Sequence, residues 1–190
     1  MIPLLRILGF LALAVTVILL IAFIVKWIVY LTRSKGCPKR FPRKTLFSTL
    51  IGLTLFSGIF VYLDYFFTFD RIDRSRMQIG PEVPSPEGHY TAHAYYEPYG
   101  GSAGGVNVWI EIENHAANTV KTVYYADANS RLSLTWADEQ TLAIENAGED
   151  PASDRNATLD VDTEIYHDTG AACRSLLMKK DYEQCYRHAK

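Results

Sequence analysis

The amino-acid sequence predicts a membrane-anchored α+β protein: a two-helix transmembrane hairpin followed by a small antiparallel β-sheet domain with a C-terminal helical segment. Three observations predict it. Before residue 70 the chain carries two long uncharged apolar runs, of a length that spans a bilayer. Between them six positive charges crowd into about a dozen residues, which orients the hairpin. After residue 70 apolar and polar residues alternate at the two-residue period of strands. The whole-chain averages, 48% apolar content and a net charge of −2 over 190 residues, conceal this division.

Residues 1–32 hold the first span and its flanks. Ile7 to Val25 is 19 residues without a charge, bounded by Arg6 and Lys26, enough for a helix of about 30 Å across hydrocarbon. Trp27 and Tyr30 follow at the Lys26 end, where amphipathic rings favour the headgroup level. A cleaved signal peptide fits less well, because the run exceeds a signal core and no small-x-small site follows it. Residues 33–44 form the linker, with Arg33, Lys35, Lys39, Arg40, Arg43 and Lys44. The positive-inside bias places it in the cytoplasm and residues 70–190 outside, in a multi-pass cell-membrane topology. Residues 45–69 hold the second span, with Leu46 to Leu63 as its apolar run. Asp64 and Tyr65 join Trp27 and Tyr30 as membrane-interface residues, Asp64 snorkelling or pairing toward Arg71 or Arg74. Ser48 and Gly52 make a small-x-x-x-small face for helix packing, against the first helix or a partner.

The outer part is acidic. Asp70 to Lys190 contains 20 acidic and 11 basic residues, a net of −9 with histidines neutral. Such a domain repels nucleic acid, while the basic linker suits anionic lipid headgroups, so the bilayer is the first expected partner. Cys37 falls in the reducing cytoplasm, where a free thiol is expected, or lipidation as an alternative. Cys173 and Cys185 form an even pair outside, the candidate disulfide. Gly170 to His188 reads helically, and an unbroken helix would hold cysteines 12 residues apart at about 18 Å. Bonded alpha carbons sit within about 7 Å, so the bridge requires a turn near Met178 to Asp181. Without it the cysteines stay free or join another chain.

Residues 70–88 read as an extracytoplasmic stalk, because Gly80, Pro81, Pro84, Pro86 and Gly88 favour an extended course. Residues 89–190 are the β-rich domain with its C-terminal helix. His89 to Tyr96 alternates, a glycine-rich loop follows, and Val106 to Ile112 alternates again. Lys121 to Ala126 is the next strand, and Arg131 to Trp136 with Thr141 to Glu145 forms a hairpin turning at Ala137 to Gln140. Gly148 to Asn156 is an acidic surface excursion, and Thr158 to Tyr166 is the last strand. Five or six strands result, one apolar face being covered by the C-terminal segment.

The run from Ser85-Pro86-Glu87-Gly88-His89-Tyr90 to Tyr95, the glycine-rich loop, the Val106 to Ile112 strand, Leu132-x-Leu134-x-Trp136-Ala137-Asp138-Glu139 and the Leu159 to Tyr166 strand together resemble a family of small membrane-anchored proteins of Bacillus-like Gram-positive bacteria, known as a domain of unknown function. The resemblance spans about residues 84–166. It implies the architecture and no activity. The Gly148 to Asn156 excursion and the cysteine-bearing tail depart from the family pattern.

No catalytic, cofactor or metal residue is singled out. His89 and His93 on one strand lie about 13 Å apart, too far to share an ion. Asp160, Asp162 and Glu164 make an acidic stripe that reads as a solvated face and leaves weak calcium association open. No serine sits in a Gly-x-Ser-x-Gly elbow, and Gly100 to Gly105 lacks the lysine and hydroxyl of a phosphate loop. Tyr95, Tyr96, Tyr99 and Trp109 offer an aromatic interaction surface, unless several of them pack under the C-terminal helix. These features favour a non-catalytic envelope module with a membrane or envelope protein partner. An accessory subunit of a transporter or signalling complex is the alternative, and a surface hydrolase a more distant one.

Overall fold

The computed structural model describes residues 2–32, 41–71, 77–101 and 104–188, residues 2–6 and 71 by backbone alone. Residues 33–40 of the basic linker, with Cys37, and residues 72–76 of the expected stalk lie outside the described residues. The chain divides into two compact units, residues 1–64 and 65–190.

The first unit is a helical hairpin of α1 (Ile2–Thr32) and α2 (Arg43–Tyr65, as far as Asp64). Both helices are long and apolar enough to cross a membrane, and their most apolar windows are only 11% and 6% buried, well below a core helix. They pack antiparallel along one seam. A Cβ at Gly52 would lie 2.6 Å from Thr16 Oγ1, and one at Gly9 3.4 Å from Ile59 Cγ2, so small residues set the approach. Thr16 and Thr49 are buried on that seam, their hydroxyls donating to Ala12 O and Thr45 O one turn back.

The second unit has a central six-stranded sheet in the order β1-β2-β3-β4-β8-β9 and a separate three-stranded sheet β5-β6-β7. The strands are β1 (Gln78–Pro84), β2 (Tyr90–Tyr99), β3 (Gly105–Asn114), β4 (Thr119–Asp127), β5 (Arg131–Trp136), β6 (Thr141–Ala147), β7 (Ala157–Asp160), β8 (Glu164–His167) and β9 (Gln184–Tyr186), with the short helix α3 (Ala171–Arg174) before β9. Alternation gives the central sheet two apolar faces. Ala92, Ala94, Val108, Ile110, Ile112, Tyr124 and Ala126 pack against Leu134, Leu142, Ile144 and Leu159 of the smaller sheet. On the other face Trp109 and Ile165 are covered by Phe69, Ala172 and Met178, with Phe67, Tyr125 and Tyr182 around them. A bulge lets Val123 and Tyr124, adjacent in β4, both enter the inter-sheet core.

Four expectations change. The central sheet is mixed, since β8 runs parallel to β4 and β9 parallel to β8, while the smaller sheet is antiparallel as expected. Each parallel pair is joined by a crossover, the β5-β6-β7 meander in one case and residues 168–183 in the other. Part of the stalk is β1, an edge strand whose register shifts between Ile79 and Glu82, and Pro81 is tolerated at that irregularity. The Thr158 to Tyr166 strand is broken in two. Asp160 Oδ1 accepts from the backbone N–H groups of Asp162 (3.0 Å) and Thr163 (2.9 Å) and from Thr163 Oγ1 (2.9 Å), a side-chain turn that sends β7 and β8 into different sheets. The helical tail is reduced to α3, a 3-10 turn at Met178–Lys180 and β9.

That turn makes the disulfide. Cys173 and Cys185 are bonded, with alpha carbons 5.3 Å apart. Their bond closes a short loop and fixes β9 on β8, so the double substitution Cys173→Ser, Cys185→Ser is expected to remove about 3 kcal/mol of stability. Unfolding midpoints of the oxidised and reduced chain check this. Equal midpoints would mean that the tail adds nothing to the domain.

Candidate functional site

The residues singled out from sequence do not converge. Phe23 stacks on Trp27 with centroids 5.8 Å apart, Tyr30 meets Phe41 at 5.7 Å, and Lys26 Nζ donates to Thr45 Oγ1 at 3.1 Å. Asp64 is half-buried, and the carbonyl of Tyr65 accepts from Leu176 N at 2.8 Å. Gly52 lies on the helix seam as a packing residue, whereas Ser48 is exposed and donates back to Lys44 O; Thr49 takes its place.

The aromatic set is not one surface. Cross-strand pairing puts Tyr95 and Trp109 on one face of the central sheet, and alternation puts Tyr96 on the other. Trp109 is fully buried, with Phe69 at 5.3 Å and Tyr125 at 6.0 Å, and its Nε1 donates to Thr122 Oγ1 at 3.0 Å. Tyr99 is 44% exposed, its hydroxyl donating to Asp127 at 2.9 Å.

The histidines face different neighbours. His93 lies between Glu113 (3.2 Å) and Glu82 (3.6 Å), whereas His89 faces Glu139 (3.3 Å) and Glu87 (3.7 Å). Thr91, His115 and Glu113 stand in the order of a hydroxyl–imidazole–carboxylate relay. However, His115 and Glu113 are 3.8 Å apart, beyond a hydrogen bond, and Thr91 is buried in its strand. In the acidic stripe Asp160 builds the β7–β8 turn, Glu164 accepts from Asp160 N, and Asp162 accepts from Tyr90 Oη at 2.8 Å.

The best-formed polar site joins two loops that are distant in sequence. Ser85 to Tyr90 makes the β1–β2 turn, with Gly88 at φ 76° in the left-handed region. Glu139 in the β5–β6 turn reaches across to it. Its carboxylate accepts from Ser85 Oγ (2.5 Å), Glu87 N (2.6 Å) and His89 N (3.0 Å). Ser85 Oγ accepts in turn from Tyr90 N at 3.0 Å, and Trp136 Nε1 donates to Val83 O at 3.0 Å. Burial opposes ionisation of Glu139, but these three donors outweigh it and hold the carboxyl below its usual value. Beside this junction lies an open cleft of about 410 Å³ lined by His89, Tyr90, Asn114, Asp138, Glu139 and Gln140. Glu87, His89 and Glu139 present three ligand atoms within 4.8 Å of one another, a group able to hold a cation. Sequence reasoning quoted both loops and missed their bond, because hydrogen bonding across 50 to 54 residues leaves no local signal.

A second titratable group lies on the covered face. His167 is 2% exposed and ringed by Phe67 (5.1 Å), Tyr125 (5.2 Å) and Phe69 (6.0 Å), and its Nε2 makes no hydrogen bond to the described residues. Burial pushes its pKa from 6.5 down to about 4. The unfolded chain therefore takes up a proton that the folded chain refuses. This contribution is complete above about pH 6.5 and is lost as the pH falls toward about 4, on the order of 3 kcal/mol in all. The urea midpoint of the wild type relative to that of His167→Phe is expected to fall as the pH drops through that window. Parallel pH profiles would remove the assignment.

A profile described as a family of unknown function (DUF5412) matches residues 40–168, about two-thirds of the chain. The match is wider than the resemblance seen in sequence, taking in α2 and stopping before the disulfide-bearing tail. No curated protein and no solved structure matches.

Proposed function

The chain belongs to this family of unknown function, and we propose that it is a non-catalytic membrane-anchored module whose outer domain binds or scaffolds an envelope component. In this reading α1 and α2 cross the membrane, residues 33–44 are cytoplasmic and residues 70–190 are extracytoplasmic. The disulfide between Cys173 and Cys185 carries the proposal, since such bonds persist in oxidising compartments and the six basic residues of the linker orient the hairpin to deliver the domain there. The contact surface in this reading is the Glu139 junction, where an open cleft is lined by Asp138 and Glu139, with Asp162 bonded to Tyr90 and Gln140 of its wall. Its chemistry suits a cationic or amide-bearing group. The accessory-subunit alternative has less support, because Gly52 is already taken up by Thr16 of α1.

Thiol labelling in intact cells tests the topology. Cys37 is expected to react with an impermeant maleimide only after permeabilisation, and Cys173 and Cys185 only after reduction. Reduced outer cysteines in intact cells would defeat the reading. For the surface, Glu139→Gln is expected to lower retention of a cross-linked envelope component several-fold while leaving the unfolding profile cooperative. Unchanged retention would remove the junction as the contact.

A further inference from the structure

The turn between α3 and β9 places apolar side chains outward where the packing does not require it. Leu176 and Leu177 are 57% and 47% exposed, although Ser175 before them and Met178 after them are buried. The turn is fixed by hydrogen bonds. Ser175 Oγ donates to Phe67 O at 2.6 Å and accepts from Leu177 N (3.2 Å) and Met178 N (3.3 Å), while Leu176 N donates to Tyr65 O at 2.8 Å. Arg174, Lys179 and Lys180 flank the leucines and are exposed. Three of the 11 basic residues of a strongly acidic segment are thus gathered around one apolar pair.

We propose that the Leu176–Leu177 turn docks on the lipid surface, the leucines entering the boundary between headgroups and acyl chains and the flanking basic residues meeting lipid phosphates. The inference rests on the reading of α2 as a membrane span. Tyr65 directly follows the last residue of the helical unit in the chain, so the turn bonded to its carbonyl is tethered by connectivity close to where the span ends. Exposed apolar side chains bordered by Lys and Arg are the means by which interfacial segments bind a bilayer. Charge then selects the face. Where the leaflet facing the domain carries anionic lipid, it repels the acidic remainder of the domain and attracts Arg174, Lys179 and Lys180. Docking through this turn would fix the orientation of the domain instead of leaving it to swing on the backbone after Tyr65.

Nitroxide labels test this in the full chain carrying Cys37→Ser, with the disulfide intact, in vesicles of phosphatidylcholine and phosphatidylglycerol. Labels are placed singly through Leu177→Cys, Leu55→Cys in α2 and Thr135→Cys on the exposed face of β5. Collision rates with oxygen and with a water-soluble nickel chelate report depth. Leu55 is expected to read as hydrocarbon, and Leu177 to show an oxygen-to-nickel ratio several-fold above Thr135. Lys179→Gln and Lys180→Gln should each lower the docked-to-undocked ratio at Leu177 by about fivefold, an effect absent from pure phosphatidylcholine. A label at 177 as water-exposed as that at 135, with 55 in hydrocarbon, overturns the docking and leaves the span intact. A water-exposed label at 55 overturns both.

Discussion

Asn146→Ala is expected to cost about 4 kcal/mol of domain stability, because it removes three buried hydrogen bonds together and leaves their partners stranded. Asn146 on β6 is fully buried between the two sheets. Its Nδ2 donates to Tyr124 Oη and to Asp127 O, both at 2.8 Å, and its Oδ1 accepts from Asn129 N at 2.8 Å. Water cannot reach these groups in a packed interior, so alanine would leave Asp127 O and Asn129 N unpaired on that side. In Asn146→Ala, Tyr124 Oη keeps its bond to Arg155 O, whereas Tyr124→Phe loses that bond and the one from Asn146 Nδ2 together and should cost about 2 kcal/mol. Urea denaturation followed by tryptophan fluorescence checks both values, and the double variant should show coupling, since the two residues share a bond. An Asn146→Ala midpoint equal to the wild type would mean that the sheets are not pinned there.

Trp109→Ala is expected to remove about 3–5 kcal/mol, the range for deleting a large aromatic side chain from a core. Its ring fills the space under Phe69 and beside Tyr125, and its indole N–H is satisfied by Thr122. Trp109→Phe keeps most of the packing and loses one hydrogen bond, so it should recover most of the stability. A contact residue would behave differently, losing partner retention with the unfolding midpoint unchanged. That pattern would return Trp109 to the interaction surface.

Trp109 also shows how far the sequence could be read. Its side of β3 was legible from alternation, and its burial only as the alternative that it packs under the C-terminal segment. The residues that cover it, Phe69 and Met178, come from segments far away in the chain. The hairpin Arg131–Trp136 with Thr141–Ala147 was legible because both its pattern and its turn are local. β1 was hidden because Gly80, Pro81 and Pro84 oppose strand formation, and only pairing with β2 overrides them. The Leu159 to Ile165 alternation gave no sign of the break, since the Asp160 turn is made by a side chain that fits the polar face of a continuous strand equally well. The disulfide was legible as a condition, a turn near Met178 to Asp181, and that turn is present. The Glu139 junction was not legible, although both of its loops carried the family resemblance.

The covering layer over Trp109 has a consequence for the order of synthesis. Residues 67–69 are made before any strand, and residues 172–182 only after β1 to β8, yet both cover the same face of the central sheet. Until the tail is made, nothing from it can cover that face. Only when Met178 and Tyr182 arrive is it closed, and oxidation of the cysteines then seals it. The tail therefore sets the earliest point at which that apolar face can leave water, and the disulfide holds the covering segment in place once it has arrived.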